Sequence, residues 1–249
     1  MYKTLDESRA LALEIAKGLP PGEEPRVALF PAAVAIEAVA SVLRGVTHRK
    51  IVTGAQNIHH EKEGAFTGEI SAGMALSAGA GAVLVGHSER RHVFHEPDAW
   101  MGRKVVRALD TGLVPILCIG ETLEEREGGR TLQVLERQLS SGVDPVSSGP
   151  ALARVVIAYE PVWAIGTGKT ATPAEGEEAH RFIRKKLGEI FASRGETAGR
   201  AEETLILYGG SVKPQNAADL LLEEDIDGLL VGGASLEAAS FLGICRAAA

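Results

Sequence analysis

Cysteine is scarce in this sequence. Only Cys118 and Cys245 occur, far apart and outside any Cys-x-x-Cys pair, which excludes a disulfide framework and a thiolate metal cluster and fits a reducing compartment. Basic residues are in deficit as well, 26 Lys and Arg against 33 Asp and Glu for a net charge of −7. No cationic face is left to follow a nucleic-acid backbone, so nucleic acid is excluded as a partner. Long apolar runs are lacking too. The N-terminus, Met1-Tyr2-Lys3-Thr4-Leu5-Asp6, has no apolar signal core, and no later stretch approaches the ~18 apolar residues of a spanning helix. These absences predict a soluble, cytoplasmic protein that does not enter a membrane.

What the chain does contain is a repeated pattern: a short apolar run ending in a small or polar residue, then a helical stretch. Seven such runs occur, at 27–31, 51–56, 82–86, 114–120, 155–160, 205–209 and 228–232. Their Val, Ile and Leu content, with few polar interruptions, is that of strands buried on both faces. Helix starts are marked by Thr4-Leu5-Asp6-Glu7 and by Thr172-Pro173-Ala174-Glu175, each with an N-cap threonine and a glutamate three residues on. Eight helical segments can be placed. Strict alternation with short connections predicts a parallel sheet with right-handed crossovers, and 249 residues that are 45% hydrophobic suit one closed barrel spanning 1–249. The Ser147-Ser148-Gly149-Pro150 stretch reads as an ordinary loop within it. The order is helix first and then seven strand–helix units, so an eight-stranded α/β barrel would lack its first strand.

In such a barrel the chemistry sits where the strands end. Run 82–86 leads directly into His87-Ser88-Glu89-Arg90-Arg91, and run 155–160 ends on Glu160. A histidine and a carboxylate delivered to one rim can act as acid and base, although singly His87 reads equally well as a helix cap and Glu160 as a strand-end ion pair. Gly209-Gly210-Ser211 and Gly232-Gly233 close the last two runs, where glycines let backbone N–H groups approach an anion and a short helix after Gly233 would point its positive end. Each pair also fits a plain tight turn; together they favour a phosphorylated small molecule. The segment from Pro161 to Ala171 is long for a strand-to-helix loop and suggests a moving lid over a water-sensitive intermediate, or else a rigid loop whose Trp163 packs on the rim. Gly168-Lys169-Thr170 lacks the first glycine of a phosphate loop, and Gly166-Thr167-Gly168 stands too far from its strand for a dinucleotide turn. His59, His60, His92 and His95 form no ligand set, so no metal is expected.

The stretches Gly86-His87-Ser88-Glu89-Arg90-Arg91, 158–168, Tyr208-Gly209-Gly210-Ser211-Val212 and Val231-Gly232-Gly233-Ala234 resemble the triosephosphate isomerase family over nearly the whole chain. The resemblance implies a (βα)8 TIM barrel that interconverts dihydroxyacetone phosphate and D-glyceraldehyde 3-phosphate through an enediolate without cofactor. It implies Glu160 as the base and neutral His87 as the group that polarises the carbonyl. Gly166, Ser211, Gly232 and Gly233 match the phosphate-gripping positions, and Ser88, Glu89 and Cys118 match supporting ones. Gln56-Asn57 and Glu63 to Glu69 resemble a loop that enters a neighbouring subunit, implying a homodimer through the region around Thr67. Family members begin with a strand ending in Asn-x-Lys before a methionine that Met1 matches. The asparagine and catalytic lysine have no counterpart here, and Lys3, beyond that methionine, is no substitute. A start assigned late and a true truncation are the two explanations, the second implying an impaired barrel that still binds sugar phosphate. Another phosphate-binding barrel enzyme, such as an aldolase, is disfavoured because no strand end carries a Schiff-base lysine.

Overall fold

The computed structural model describes residues 1–19, 25–46, 51–165 and 171–248. In chain order these form α1 (Leu5–Gly18), β1 (Val27–Leu29), α2 (Ile36–Arg44), β2 (Ile51–Ala55), α3 (Ala72–Ser77), β3 (Ala82–Val85), α4 (Ser88–His92), α5 (Asp98–Thr111), β4 (Val114–Ile119), α6 (Leu123–Glu127), α7 (Thr131–Val143), α8 (Gly149–Leu152), β5 (Val156–Tyr159), α9 (Pro173–Ser193), β6 (Ile206–Tyr208), α10 (Ala217–Leu221), β7 (Gly228–Leu229) and α11 (Ala238–Ala247). All seven apolar runs became strands, trimmed at their ends. They pair in parallel in the order β1-β2-β3-β4-β5-β6-β7, the curled α/β sheet of a TIM barrel. Among the described residues β1 pairs only with β2 and β7 only with β6.

Both anticipated capping boxes form. Glu7 N–H donates to Thr4 Oγ1 while Glu7 Oε2 accepts from Thr4 N–H at 2.7 Å, and Thr172 and Glu175 do the same at the start of α9. Among the described residues three helical turns exceed the expected eight segments: α4, α6 and α8. The last corrects the loop reading of 147–150. Ser148 Oγ accepts from Ala151 N–H at 3.3 Å and Pro150 presets the first-turn backbone, so N-cap and proline together start a helix there.

Strand parity divides the core into two layers. On β3, β4 and β5, Val83, Val85, Leu117, Ile119, Ile157 and Tyr159 join the large cluster that contains helix residues such as Met101, Leu135 and Phe191. Their neighbours Leu84, Ile116, Cys118 and Ala158 form a separate cluster, packed by Phe30, Val156, Leu207 and Leu230, that contains no helix residue. Side chains alternate along a strand, so the second cluster fills the concave face of the sheet. At the chain's two ends, Ile15 and Leu19 of the first helical stretch pack with Phe241 and Leu242 of α11, and Ala12 and Ala16 pack with Val39 and Leu43 of α2.

Helix-to-sheet contact is close enough to require glycine at one point. A Cβ on Gly142 of α7 would meet Leu117 Cδ2 at 2.3 Å. Gly142→Ala therefore lowers stability by about 1–2 kcal/mol, the overpacking cost of 1–3 less the helical preference of alanine. In a Leu117→Ala background the same change becomes neutral or stabilising. Urea unfolding of the four chains of that cycle checks the reversal of sign.

Candidate active site

Parity carries Glu160 inward. On β5 the concave-facing positions are 156 and 158, and Glu160 N–H continues the ladder by donating to Ile119 O at 2.8 Å, so its carboxylate enters the rim of the same layer and is 2% exposed. His87 arrives differently. Gly86, at the exit of β3, has φ +74°, and a Cβ there would meet Arg91 Nη2 at 2.7 Å and Met101 Sδ at 2.8 Å. Only glycine allows that left-handed turn under the packed guanidinium, and the turn brings His87 to cap α4.

The two side chains meet, with His87 Nε2 3.0 Å from Glu160 Oε1. Glu89 N–H donates to His87 Nδ1 at 3.3 Å, so Nδ1 is the accepting nitrogen and the ring proton sits on Nε2, directed at the carboxylate. The other carboxylate oxygen, Oε2, accepts from Ser88 N–H at 2.9 Å. Burial pushes the Glu160 carboxyl above the ordinary glutamate range, while His87, the Ser88 N–H, Arg91 and Cys118 pull it back toward ionisation. The sequence alternative for His87 is realised as well, since its ring caps a helix, while Glu160 meets the Nε2–H of that neutral ring and not an oppositely charged side chain.

The supporting residues divide. Ser88 is buried and supplies its backbone N–H. Glu89 contributes its N–H, but its carboxylate is exposed and lies 3.9 Å from His87 Nδ1. Cys118 is fully buried on β4, and burial with the nearby Glu160 charge pushes its thiol well above the ordinary range, so it packs as a thiol. Gly209 N–H donates to Tyr159 O at 2.7 Å, and a Cβ on Gly209 would approach Glu160 Cγ at 3.0 Å. That places the Gly209-Gly210-Ser211 turn beside the carboxylate. Asn216 fixes the turn, donating to Ser211 O at 2.9 Å and accepting from Lys213 N–H at 2.7 Å. Gly232 and Gly233 are exposed at the end of β7, open space surrounds an added Cβ at either, and a short 3-10 turn over Gly233–Leu236 follows. Gly166 lies outside the described residues, as does 166–170 of the segment read as a lid. Trp163, before it, packs on the rim: its Nε1–H donates to Glu121 Oε1 at 2.8 Å and Arg126 lies 4.4 Å from its ring centroid.

Several residues at this rim had no role assigned to them from the sequence. Glu121 accepts from Trp163 and from Tyr159 OH at 3.2 Å, and burial pushes its carboxyl up. Gln138 brackets Gly120, accepting from its N–H at 2.8 Å and donating to its carbonyl at 3.2 Å. Arg91 holds two strand-end carbonyls. Their partners are remote in sequence, so spacing does not announce them. Lys3 forms a loose pair with Glu237 at 3.8 Å.

Gly120 sets how closely β4 and β5 converge below the carboxylate. A Cβ there would lie 1.7 Å from Glu160 O, a main-chain atom. Gly120→Ala must therefore displace the Glu160 backbone, costing about 3 kcal/mol, whereas Gly199→Ala, where an added methyl meets open space, stays within about 0.5 kcal/mol. Chemical denaturation midpoints of the two variants check the contrast.

Residues 1–248 match the family model described as triosephosphate isomerase. A protein named triosephosphate isomerase from Syntrophotalea carbinolica is 46% identical over 246 residues, covering 99% of this chain and 94% of that relative. One of the same name from Citrifermentans bemidjiense is 47% identical over the same coverage, and another from Chlorobium phaeobacteroides is 47% identical over 249 residues, 100% of this chain and 95% of that relative. With a curled parallel sheet, a histidine and a buried glutamate joined at its rim, and matches of this extent, the chain belongs to the triosephosphate isomerase family.

Proposed function

We propose that this chain is an aldose–ketose isomerase that interconverts dihydroxyacetone phosphate and D-glyceraldehyde 3-phosphate through an enediolate, without a cofactor, in glycolysis and gluconeogenesis in the cytoplasm. The observation that carries the reading is the 3.0 Å contact of His87 Nε2 with Glu160 Oε1 at the end of the sheet. With substrate bound, the Glu160 carboxylate takes a proton from the carbon beside the carbonyl. The His87 Nε2–H polarises the carbonyl oxygen and passes its proton to it; His87 then takes the proton of the neighbouring hydroxyl, whose oxygen becomes the new carbonyl, as Glu160 returns its proton to the former carbonyl carbon. Ser211, Gly232 and Gly233, with Gly166, hold the phosphate through backbone N–H groups.

A buried carboxylate suits this work because desolvation raises its basicity while its partners keep it ionised. The same burial costs stability. Below the ordinary glutamate range the carboxyl is protonated in both folded and unfolded chains and contributes nothing. As pH rises the unfolded chain ionises first, so the penalty on the folded state grows until the buried carboxyl ionises as well and stays at its full value above that pH. Glu160→Gln therefore lowers kcat by roughly 10²–10⁴-fold yet melts no lower than the parent at neutral pH. In the parent, kcat/KM falls as pH drops through a limb lying above the ordinary glutamate range. Turnover of both triose phosphates against pH, with thermal melts of parent and variant, checks these outcomes. Parent-like turnover by Glu160→Gln would remove Glu160 from the reaction.

The chain is further proposed to act as a homodimer through the loop around Thr67. Phe66, Met74, Val93 and Phe94 are exposed apolar residues on this loop, on α3 and after α4, a set that a second copy would cover. Phe94→Asp is expected to shift the chain to monomers in sedimentation and to reduce turnover at least about tenfold through disorder of the adjoining site loops. A parent chain that sediments as a fully active monomer would overturn the dimer.

A further inference from the structure

A buried arginine lies behind the His87–Glu160 pair without touching the position where substrate would react. Arg91, on α4, has a side chain 5% exposed. Its Nε–H donates to Gly86 O at 2.8 Å, its Nη2 donates to Cys118 O at 2.9 Å, and its Nη1 donates to Asp98 Oδ1 at 2.5 Å. Gly86 is the residue before His87. Cys118 pairs in register with Ala158 on β5, and the next residue, Ile119, accepts from Glu160 N–H. One planar guanidinium therefore joins the exit of β3, which delivers His87, to the strand that fixes Glu160.

We infer that Arg91 is a positioning residue for the isomerase reaction, its fork on the Gly86 and Cys118 carbonyls setting the separation of His87 from Glu160. The inference rests on the functional reading above. Fold stability alone does not account for the arrangement. Burying a guanidinium is costly, and its single carboxylate partner, Asp98, is partly exposed and shared with Arg137 at 3.3 Å, so replacing such a buried ion by apolar groups is often neutral or stabilising. The fork geometry also matters, because two carbonyls on different strands are held at fixed directions that lysine cannot match.

The positive charge has a second consequence. Glu160 is faced by His87 and the Ser88 N–H from the β3 exit and α4, by Cys118 from β4, and by Arg91; Arg91 in turn is faced by Asp98 from α5, Arg137 from α7, Cys118 and Glu160. Among these, Arg91 pulls the carboxyl toward ionisation, and Asp98 is paired with that same guanidinium, where a negative charge screens part of its field.

Three variants separate geometry from charge. Arg91→Lys keeps the charge and loses the fork: kcat is expected to fall about tenfold to a hundredfold with the acid limb of kcat/KM unmoved. Arg91→Gln loses both, so kcat falls similarly and the acid limb moves up by about one pH unit. Asp98→Asn keeps the fork, loosens its anchor and leaves more positive charge on Glu160, so the limb moves down and kcat falls a few-fold. KM stays within about twofold in all three, since no phosphate-binding group is touched. Folded Arg91→Lys and Arg91→Gln with parent kcat and an unmoved limb would overturn the inference. Should both arginine variants fail to fold, Asp98→Asn decides it by the same two readouts. Only ratios to the parent count, so an inactive parent would reject the isomerase reading instead. The test then passes to the carboxyl ¹³C resonance of Glu160, identified by its loss in Glu160→Gln: a titration moving up in Arg91→Gln or down in Asp98→Asn supports the placement, and one unmoved in both rejects it.

Discussion

A carboxylate placed 2% exposed at the end of a strand is an expensive feature, and the surrounding rim is organised by the need to accommodate it. Glu160 enters by strand parity, on top of the concave layer of Leu84, Ile116, Cys118 and Ala158. Its oxygens are answered by His87 Nε2 and the Ser88 N–H. Its backbone can approach β4 only because position 120 has no side chain, and the turn after β6 comes beside it through Gly209. Remove any one of these and the charge is left uncompensated or the strand end displaced.

A second group of buried charges steadies the elements that carry these partners. Lys104 Nζ donates to Glu96 Oε2 at 2.6 Å and to Asn57 Oδ1 at 2.8 Å, while Arg90 Nε donates to Glu96 Oε1 at 2.9 Å. The cluster ties the base of the 57–71 loop to α5 and to α4, the helix that presents Ser88. Burial pulls the Lys104 ammonium down from its ordinary range and Glu96 holds it back up. Its directional bonds fix one relative placement of loop and helices, a specificity that apolar packing alone does not supply. On the far side, Arg184 binds Asp225 and Asp227 and anchors α9 to the segments flanking β6 and β7.

Much of the architecture was legible from local chemistry. Seven Val/Ile/Leu runs became seven parallel strands because such residues suit strands covered on both faces. Thr4 and Thr172 capped helices because threonine and a glutamate three residues later satisfy each other's backbone donors. His87 and Glu160 were legible as candidates because they stand at run ends, where a barrel places its chemistry. The loop reading of 147–150 missed a helical turn for a reason equally local, since Ser148 and Pro150 are a helix start as well as a loop composition.

By itself, then, the amino-acid order determined which segments are strands and helices, and which residues stand at the strand ends, because backbone propensity and side-chain period act over a few neighbouring residues. Tertiary structure alone decided which of those ends meet. The 3.0 Å approach of His87 to Glu160 bridges 73 positions of chain, Gly120 owes its identity to a backbone 40 residues away, and Arg91 takes its meaning from a carbonyl 27 residues on. These contacts depend on the curl of the sheet and on what a low-dielectric rim demands of a buried charge, constraints that arise only once distant strands lie side by side.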